Sequence, residues 1–150
     1  MRIEFRIAEA EDSEALYDLL LEMHDEVGLF PLAERKVRAK IALVLDEGAC
    51  FVAEVDGTIV GSIGVVPEQM WYTDDFMLAD KWTFVKQNWR RSRVAIGLLR
   101  RAKEFAKRAG LPLAVGVFGA KDTARKNALF GRLFTPVGEM FMEFPHVLRK

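Results

Sequence analysis

The chain has 150 residues, 51% of them hydrophobic, with 22 basic and 22 acidic side chains and a single cysteine. That length and apolar content suit one domain, residues 1–150, with its own core. The balanced charge argues against a general nucleic-acid or membrane-surface binder, which would carry a basic excess, and one cysteine excludes a disulfide framework or a cysteine metal cluster. The opening MRIEFRIAEAEDSEALYDLL lacks the apolar core and cleavage site of a secretion signal, and no apolar run is long enough to span a bilayer, so a soluble cytoplasmic protein is expected.

RIEFRIA alternates Ile3, Phe5 and Ile7 with charged residues, the period of a half-buried strand. Asp12 and Ser13 are suited to cap a helix in which Leu16, Leu19, Leu20, Met23 and Val27 recur at helical spacing. Gly28 stops that helix, and GLFP makes a short apolar loop. A second helix after Pro31 carries Val37, Ile41, Val44 and Leu45 on one face and ends at Gly48. In ACFVAEVDGTIVGSIGVV two β-rich runs flank Asp56-Gly57, a two-residue hairpin turn. Pro67 is expected to end the second run. EQMWYTDDF reads as a loop and residues 77–87 as a fourth strand. A helix from about Ala95 buries Leu98, Leu99, Ala102, Phe105 and Ala106 and closes at Gly110. Residues 112–118 form a fifth, mostly apolar strand. A short helix opened by Asp122 and a final strand, PVGEMFMEF, complete the chain.

The order β-α-α-β-β-β-α-β-α-β defines an α/β fold. Its hairpins give a mixed, mostly antiparallel central sheet flanked by helices, and the strand-helix-strand unit gives one parallel, right-handed crossover between strands four and five.

The chemistry concentrates where the fourth strand turns into the long helix, in VKQNWRRSRVAIG. Arg90, Arg91 and Arg93 stand at a helix N-terminus, where the dipole already carries positive charge. A bound pyrophosphate would relieve that repulsion, with free backbone N–H groups, arginine forks and the Ser92 hydroxyl as donors. The competing reading is a solvated charged face. It accounts well for Arg100, Arg101, Lys103, Lys107 and Arg108, which interleave with the apolar stripe, and less well for the three arginines of the turn.

The element order and this turn resemble the GCN5-related N-acetyltransferases. Their acyl-CoA motif is Gln or Arg, two residues, Gly, one residue, Gly or Ala; Arg90-Arg91-Ser92-Arg93-Val94-Ala95 matches its first and last positions, with Arg93 at the first glycine. FVAEVDGTIVGSIGVV is similar to the family's central hairpin and ALFGRLFTPVGEMF to its C-terminal region. MWYTDDF and WTFVKQNWRRSR look most like small phage-type members. The resemblance implies acetyl-CoA as co-substrate, no metal, and direct transfer to a primary amine on a small molecule or protein. It also implies strands four and five splayed, with pantetheine pairing near Phe84 and Val85. The pyrophosphate would lie on the N–H groups of Arg91, Ser92, Arg93, Val94 and Ala95, with Arg90 helping. A free N–H near Val85 would serve as oxyanion donor. Family members are often dimers, so a homodimer is compatible with it.

The catalytic pattern is thinner. Phe130 stands where the family often has a proton-donating tyrosine, and its usual acidic position on strand four falls at Ala79 or Lys81. The remaining acid–base candidates are Asp80, Asp75 and Tyr72, with Asp74 and Glu54 behind them. Asp80 alternates with Trp82 and Phe84 and is expected on the face opposite Lys81. The aspartates of YTDDF are equally ordinary turn residues. Phe30, Trp71, Tyr72 and Trp82 are candidates for an acceptor pocket, against core packing for Trp82. Leu29 flanks the same groove or locks the first two helices together. His24 and His146 are expected at the surface, and Cys50 as a buried small hydrophobe. The alternative to an enzyme is a CoA-binding or protein-interaction module that has lost catalysis.

Overall fold

Asp56 and Gly57 both take positive φ, 49° and 81°, the pair a type I′ turn needs, and only a glycine adopts the second value without strain. They join β2 (Ala49–Val55) to β3 (Thr58–Gln69). β1 (Glu4–Ile7) pairs with β2, and β4 (Phe76–Val85) with β3, all antiparallel. β5 (Leu113–Ala114) pairs with β4 in parallel, giving the five-stranded order β1-β2-β3-β4-β5. Among the described residues four α-helices complete the fold: α1 (Ser13–Val27), α2 (Glu34–Glu47), α3 (Val94–Ala109) and α4 (Thr123–Leu133). This is a computed structural model and describes residues 2–117 and 123–145; the expected strand end at Phe118, the helix start at Asp122, and His146 lie outside them.

The helices divide between the two faces of the sheet. Leu16, Leu19 and Leu20 of α1 and Ile41 and Val44 of α2 pack with Val52, Trp82 and Phe84. Leu98, Leu99 and Ala102 of α3 pack on the other face with Ala53, Ile63, Val65 and Leu78. Each fully buried leucine contributes about 1.5–3 kcal/mol, so the stripe in α3 suffices to fix that helix on the sheet. Gly110, in the left-handed region at φ 71°, ends it.

Several expectations need correction. Asp12 does not cap α1 with its side chain; its carboxylate accepts from the Glu9 N–H and from Arg6, which also reaches Glu54. Ile7 is exposed. Pro67 does not end β3, which runs on to Gln69. The Leu78 N–H points to the Pro112 carbonyl, so the facing residue, Pro67, turns its backbone away from β4, beyond the point where β2 ends at Ala49. A proline is tolerated there because no donor is required. β4 stops at Val85, two residues early, in a 3-10 turn over Gln87–Trp89. β5 is two residues long rather than seven. The expected final strand is not formed: residues 135–145 contain no strand, and Val137, Met140 and Phe141 are exposed. Alternating β-propensity does not make a strand without a partner edge.

Candidate active site

β4 is the axis of the site. Its register with β3 shifts between Gly64 and Val65, leaving Lys81 as the extra residue between the Val65–Asp80 and Gly64–Trp82 pairs. This bulge reverses the alternation. Leu78 is buried with α3 and Trp82 with α1 and α2, and Asp80 and Lys81 both line one cavity instead of facing opposite ways.

β5 follows β4 only at Leu78 and Ala79. Past that point the Gly116 N–H donates to Asp80 Oδ1 at 3.2 Å, and among the described residues no strand pairs with the outer edge of β4. Lys86 donates its N–H to the Val60 carbonyl, so the alternation of an antiparallel ladder turns the N–H groups of Val85 and Thr83 outward, onto that open edge.

Two cavities flank the edge. The first, about 410 Å³, lies between the end of β4, the turn before α3, and α4. Its apolar wall includes Phe84, Val85, Ala95 and Leu129, and Arg91, Arg125, Lys126 and Arg132 supply positive charge. The turn is shaped as a cradle. Arg91 holds φ 67°, a left-handed conformation costing a non-glycine residue about 1–2 kcal/mol, whereas Arg93, at the family's glycine position, has φ −83° and needs no glycine. Among the described residues, the N–H groups of Arg91, Ser92, Arg93, Ala95 and Ile96 make no backbone hydrogen bond, while that of Val94 is taken by Ser92 Oγ. Ser92 donates its hydroxyl to the Trp89 carbonyl.

The three arginines are not equivalent. Arg90 forks onto both oxygens of Glu26 in α1, at 2.8 and 2.6 Å, and its Nε donates to the Val85 carbonyl at 2.9 Å. Arg90 therefore braces the end of β4. Arg90 and Arg91 both line the cavity, and Arg93 faces a separate hollow beside Phe5.

The second cavity, about 610 Å³, lies between α1, the loop to α2, β4 and the chain after β5. Leu29 and Phe30 line it, as does Trp82, whose ring is buried and whose Nε1 donates to Ser62 Oγ. His24 is half-buried in its wall, not at the surface, and donates Nε2–H to the Phe30 carbonyl at 2.6 Å. Asp80 is the carboxylate here. Burial pushes its pKa above the ordinary aspartate value, against the Thr83 hydroxyl and the Gly116 N–H that favour its charged form. Thr83, Lys126 and Phe130 line both cavities. Of these, the sequence reading reached Phe130 alone. Thr83 was legible as an outward-facing residue of a strand edge, but only once the bulge is known.

Tyr72, Asp75 and Trp71 lie elsewhere. They occupy the exposed loop between β3 and β4, lining neither cavity, and Asp75 lies about 17 Å of strand upstream of Asp80. The Asp75 N–H closes a turn on Thr73 Oγ1. Glu54 is paired with Arg6. Among the described residues no cluster of three His, Cys, Asp or Glu could hold a metal ion, and no helix is long and apolar enough to cross a membrane.

The site thus has a strand edge parted from its parallel neighbour, a cationic turn beyond it, and two cavities that share Thr83, Lys126 and Phe130. Residues 46–133 match the Acetyltransferase (GNAT) domain family, and the chain belongs to that family of acetyltransferases. No curated protein matches it by sequence. Among solved structures it is similar to the aminoglycoside acetyltransferase AAC(6')-Iy in complex with the bisubstrate analogue CoA-S-monomethyl-acetylneamine (TM-score 0.74, 16% identity, 97% of this chain and 99% of that one). It is similar too to the 6'-N-acetyltransferase AAC(6')-Ih from Acinetobacter baumannii (0.70, 16%, 97% and 98%) and to an acetyltransferase from Trypanosoma brucei (0.70, 15%, 97% and 100%). At these identities the likeness is one of fold. The phage-type placement has no counterpart among these relatives.

Proposed function

We propose that the protein transfers an acetyl group from acetyl-CoA to a primary amine by direct attack. One observation carries this reading: the two cavities share Thr83 on the outer edge of β4 and Lys126 and Phe130 on α4. The first cavity suits acyl-CoA. Its cations and free N–H groups fit a diphosphate, and its apolar wall and open strand edge fit a pantetheine arm. The structural relatives bound to CoA or a CoA bisubstrate analogue support that reading. The outward N–H of Val85 or Thr83 meets the thioester oxygen as charge develops on it.

The amine enters from the second cavity as an ammonium ion. Asp80 takes its proton, freeing the lone pair to attack the thioester carbonyl carbon. The nitrogen sheds its second proton to water as the C–S bond breaks, and the thiolate takes a proton from water, because Phe130 has none to give. The balance is ammonium plus thioester to amide, free thiol and one proton. The chain acts as a single domain in this scheme, since α1 walls the second cavity and α4 the first.

Phe130 favours a second reading, a CoA-binding module without catalysis. Calorimetric titration with acetyl-CoA, followed by an assay of free thiol with a panel of amines, separates the two. Binding with thiol release supports transfer, binding without release for any amine supports the second reading, and no heat at millimolar acetyl-CoA overturns both.

A further inference from the structure

Resting on that acetyltransferase reading, we infer that the acceptor is an apolar monoamine, a single ammonium on an aromatic or branched hydrocarbon body, and not a polycation of the aminoglycoside kind. The second cavity carries the inference. Its wall is mostly apolar, with Met23, Val27, Leu29, Phe30, Val37 and Trp82 the principal surfaces. Asp80 is the one carboxylate among its described lining residues, against Lys36, Lys81 and Lys126. Lys81 is itself paired with Glu68.

An ammonium docked on Asp80 has a charged hydrogen-bond partner in the second cavity, three residues along β4 from Thr83, which lines both cavities. Any further ammonium on the same molecule meets either hydrocarbon, where it loses water without gaining a partner, or a lysine, which repels it. A hydrocarbon body has the opposite balance and gains by leaving water. The loop carrying Leu29 and Phe30 is held over this space by the His24 bond to the Phe30 carbonyl, so the apolar wall is built in rather than assembled by the ligand.

The test compares 2-phenylethylamine with neamine, which carries several amino groups, at saturating acetyl-CoA by free-thiol release. The expected kcat/KM is roughly ten- to hundredfold higher for 2-phenylethylamine, the discrimination an apolar pocket supplies. Equal or better use of neamine overturns the acceptor class and leaves the acetyltransferase reading standing. Turnover of neither amine, with acetyl-CoA bound, overturns this acceptor class; the acetyltransferase reading falls only if no amine of the wider panel releases thiol. The exposed rim variant Phe30→Asp should narrow the ratio by raising KM for 2-phenylethylamine with little change in kcat. A ratio unmoved by that charge would show that the cavity wall does not select the acceptor.

Discussion

Gly116 and Asp80 are joined across the fork of the sheet: the glycine N–H donates to Asp80 Oδ1 at 3.2 Å, just past the last paired residues of β4 and β5. The bond holds a carboxylate at the point where two strands separate and two cavities approach each other. Thr83 Oγ1 holds the other oxygen at 2.8 Å. Asp80→Asn keeps an oxygen for the Gly116 N–H and the shape of the group, so the fold should survive. Loss of a general base typically costs 10²- to 10⁴-fold (about the range for acid–base catalysis), and steady-state kinetics of Asp80→Asn should show that loss in kcat with a folded, acetyl-CoA-binding protein.

The same residue fixes a pH dependence. Burial raises the Asp80 pKa, so the folded protein holds this proton more tightly than the unfolded chain does. The stabilisation from that proton is fully present below the ordinary aspartate range and is lost as pH rises through the raised folded value. Two outcomes follow. The acid limb of kcat/KM should have its midpoint above the ordinary aspartate value. Thermal denaturation of Asp80→Asn should show a melting temperature at neutral pH equal to or above that of the parent, with a weaker fall between acidic and neutral pH.

The arginines of the turn should separate by substitution. Arg90→Ala breaks a fork to Glu26 in which both side chains are 15% exposed, and leaves the Val85 carbonyl without Nε; the cost should be about 2–3 kcal/mol of stability. Arg91→Gly removes a left-handed arginine, so stability should hold or rise by up to about 1 kcal/mol. Its affinity for acetyl-CoA should fall by about tenfold, the value of one charged hydrogen bond. Denaturant unfolding and calorimetry on the two variants read these opposite patterns.

The sequence showed the helices and the hairpins because periodicity and turn chemistry are local. Ala102 follows Leu98 by four residues and Leu99 by three, so all three share a face. The Asp56-Gly57 pair has few conformations other than a turn. The bulge at Lys81 was hidden because it is a mismatch between two strands, and neither strand records it alone. That one extra residue decides which cavity Asp80 reaches, so the acid was named from the sequence while its surroundings were not. The cationic turn was legible as charge, but not the division of labour within it. What ties Arg90 down is above all its fork to Glu26, 64 positions away in sequence. PVGEMFMEF has the composition of a strand, yet among the described residues it pairs with no edge of the sheet.

Cys50 bears on how activity is measured. It is 1% exposed, with Sγ 3.3 Å from Ser62 Oγ, and burial pushes its thiol up to about 11. A thiol that is neither exposed nor ionised reacts slowly. Thiol reagents should therefore detect released CoA without titrating the folded protein, and should find one protein thiol per chain only after denaturant is added.

Phe130 offers the reverse experiment, a gain of function. Its ring borders both cavities and packs at 6.1 Å from Phe134, and it is only partly buried, so a para hydroxyl has room toward the cavities rather than into the core. In Phe130→Tyr that hydroxyl can protonate the leaving thiolate, a task left to water in the parent. If departure of the thiolate limits turnover, kcat should rise by about tenfold or more, within the usual contribution of a general acid, with the KM for acetyl-CoA nearly unchanged because the hydroxyl acts on a charge that develops only during the reaction. An unchanged kcat in a folded variant would mean that water already protonates the thiolate fast enough, and that the amine side, at Asp80, sets the rate.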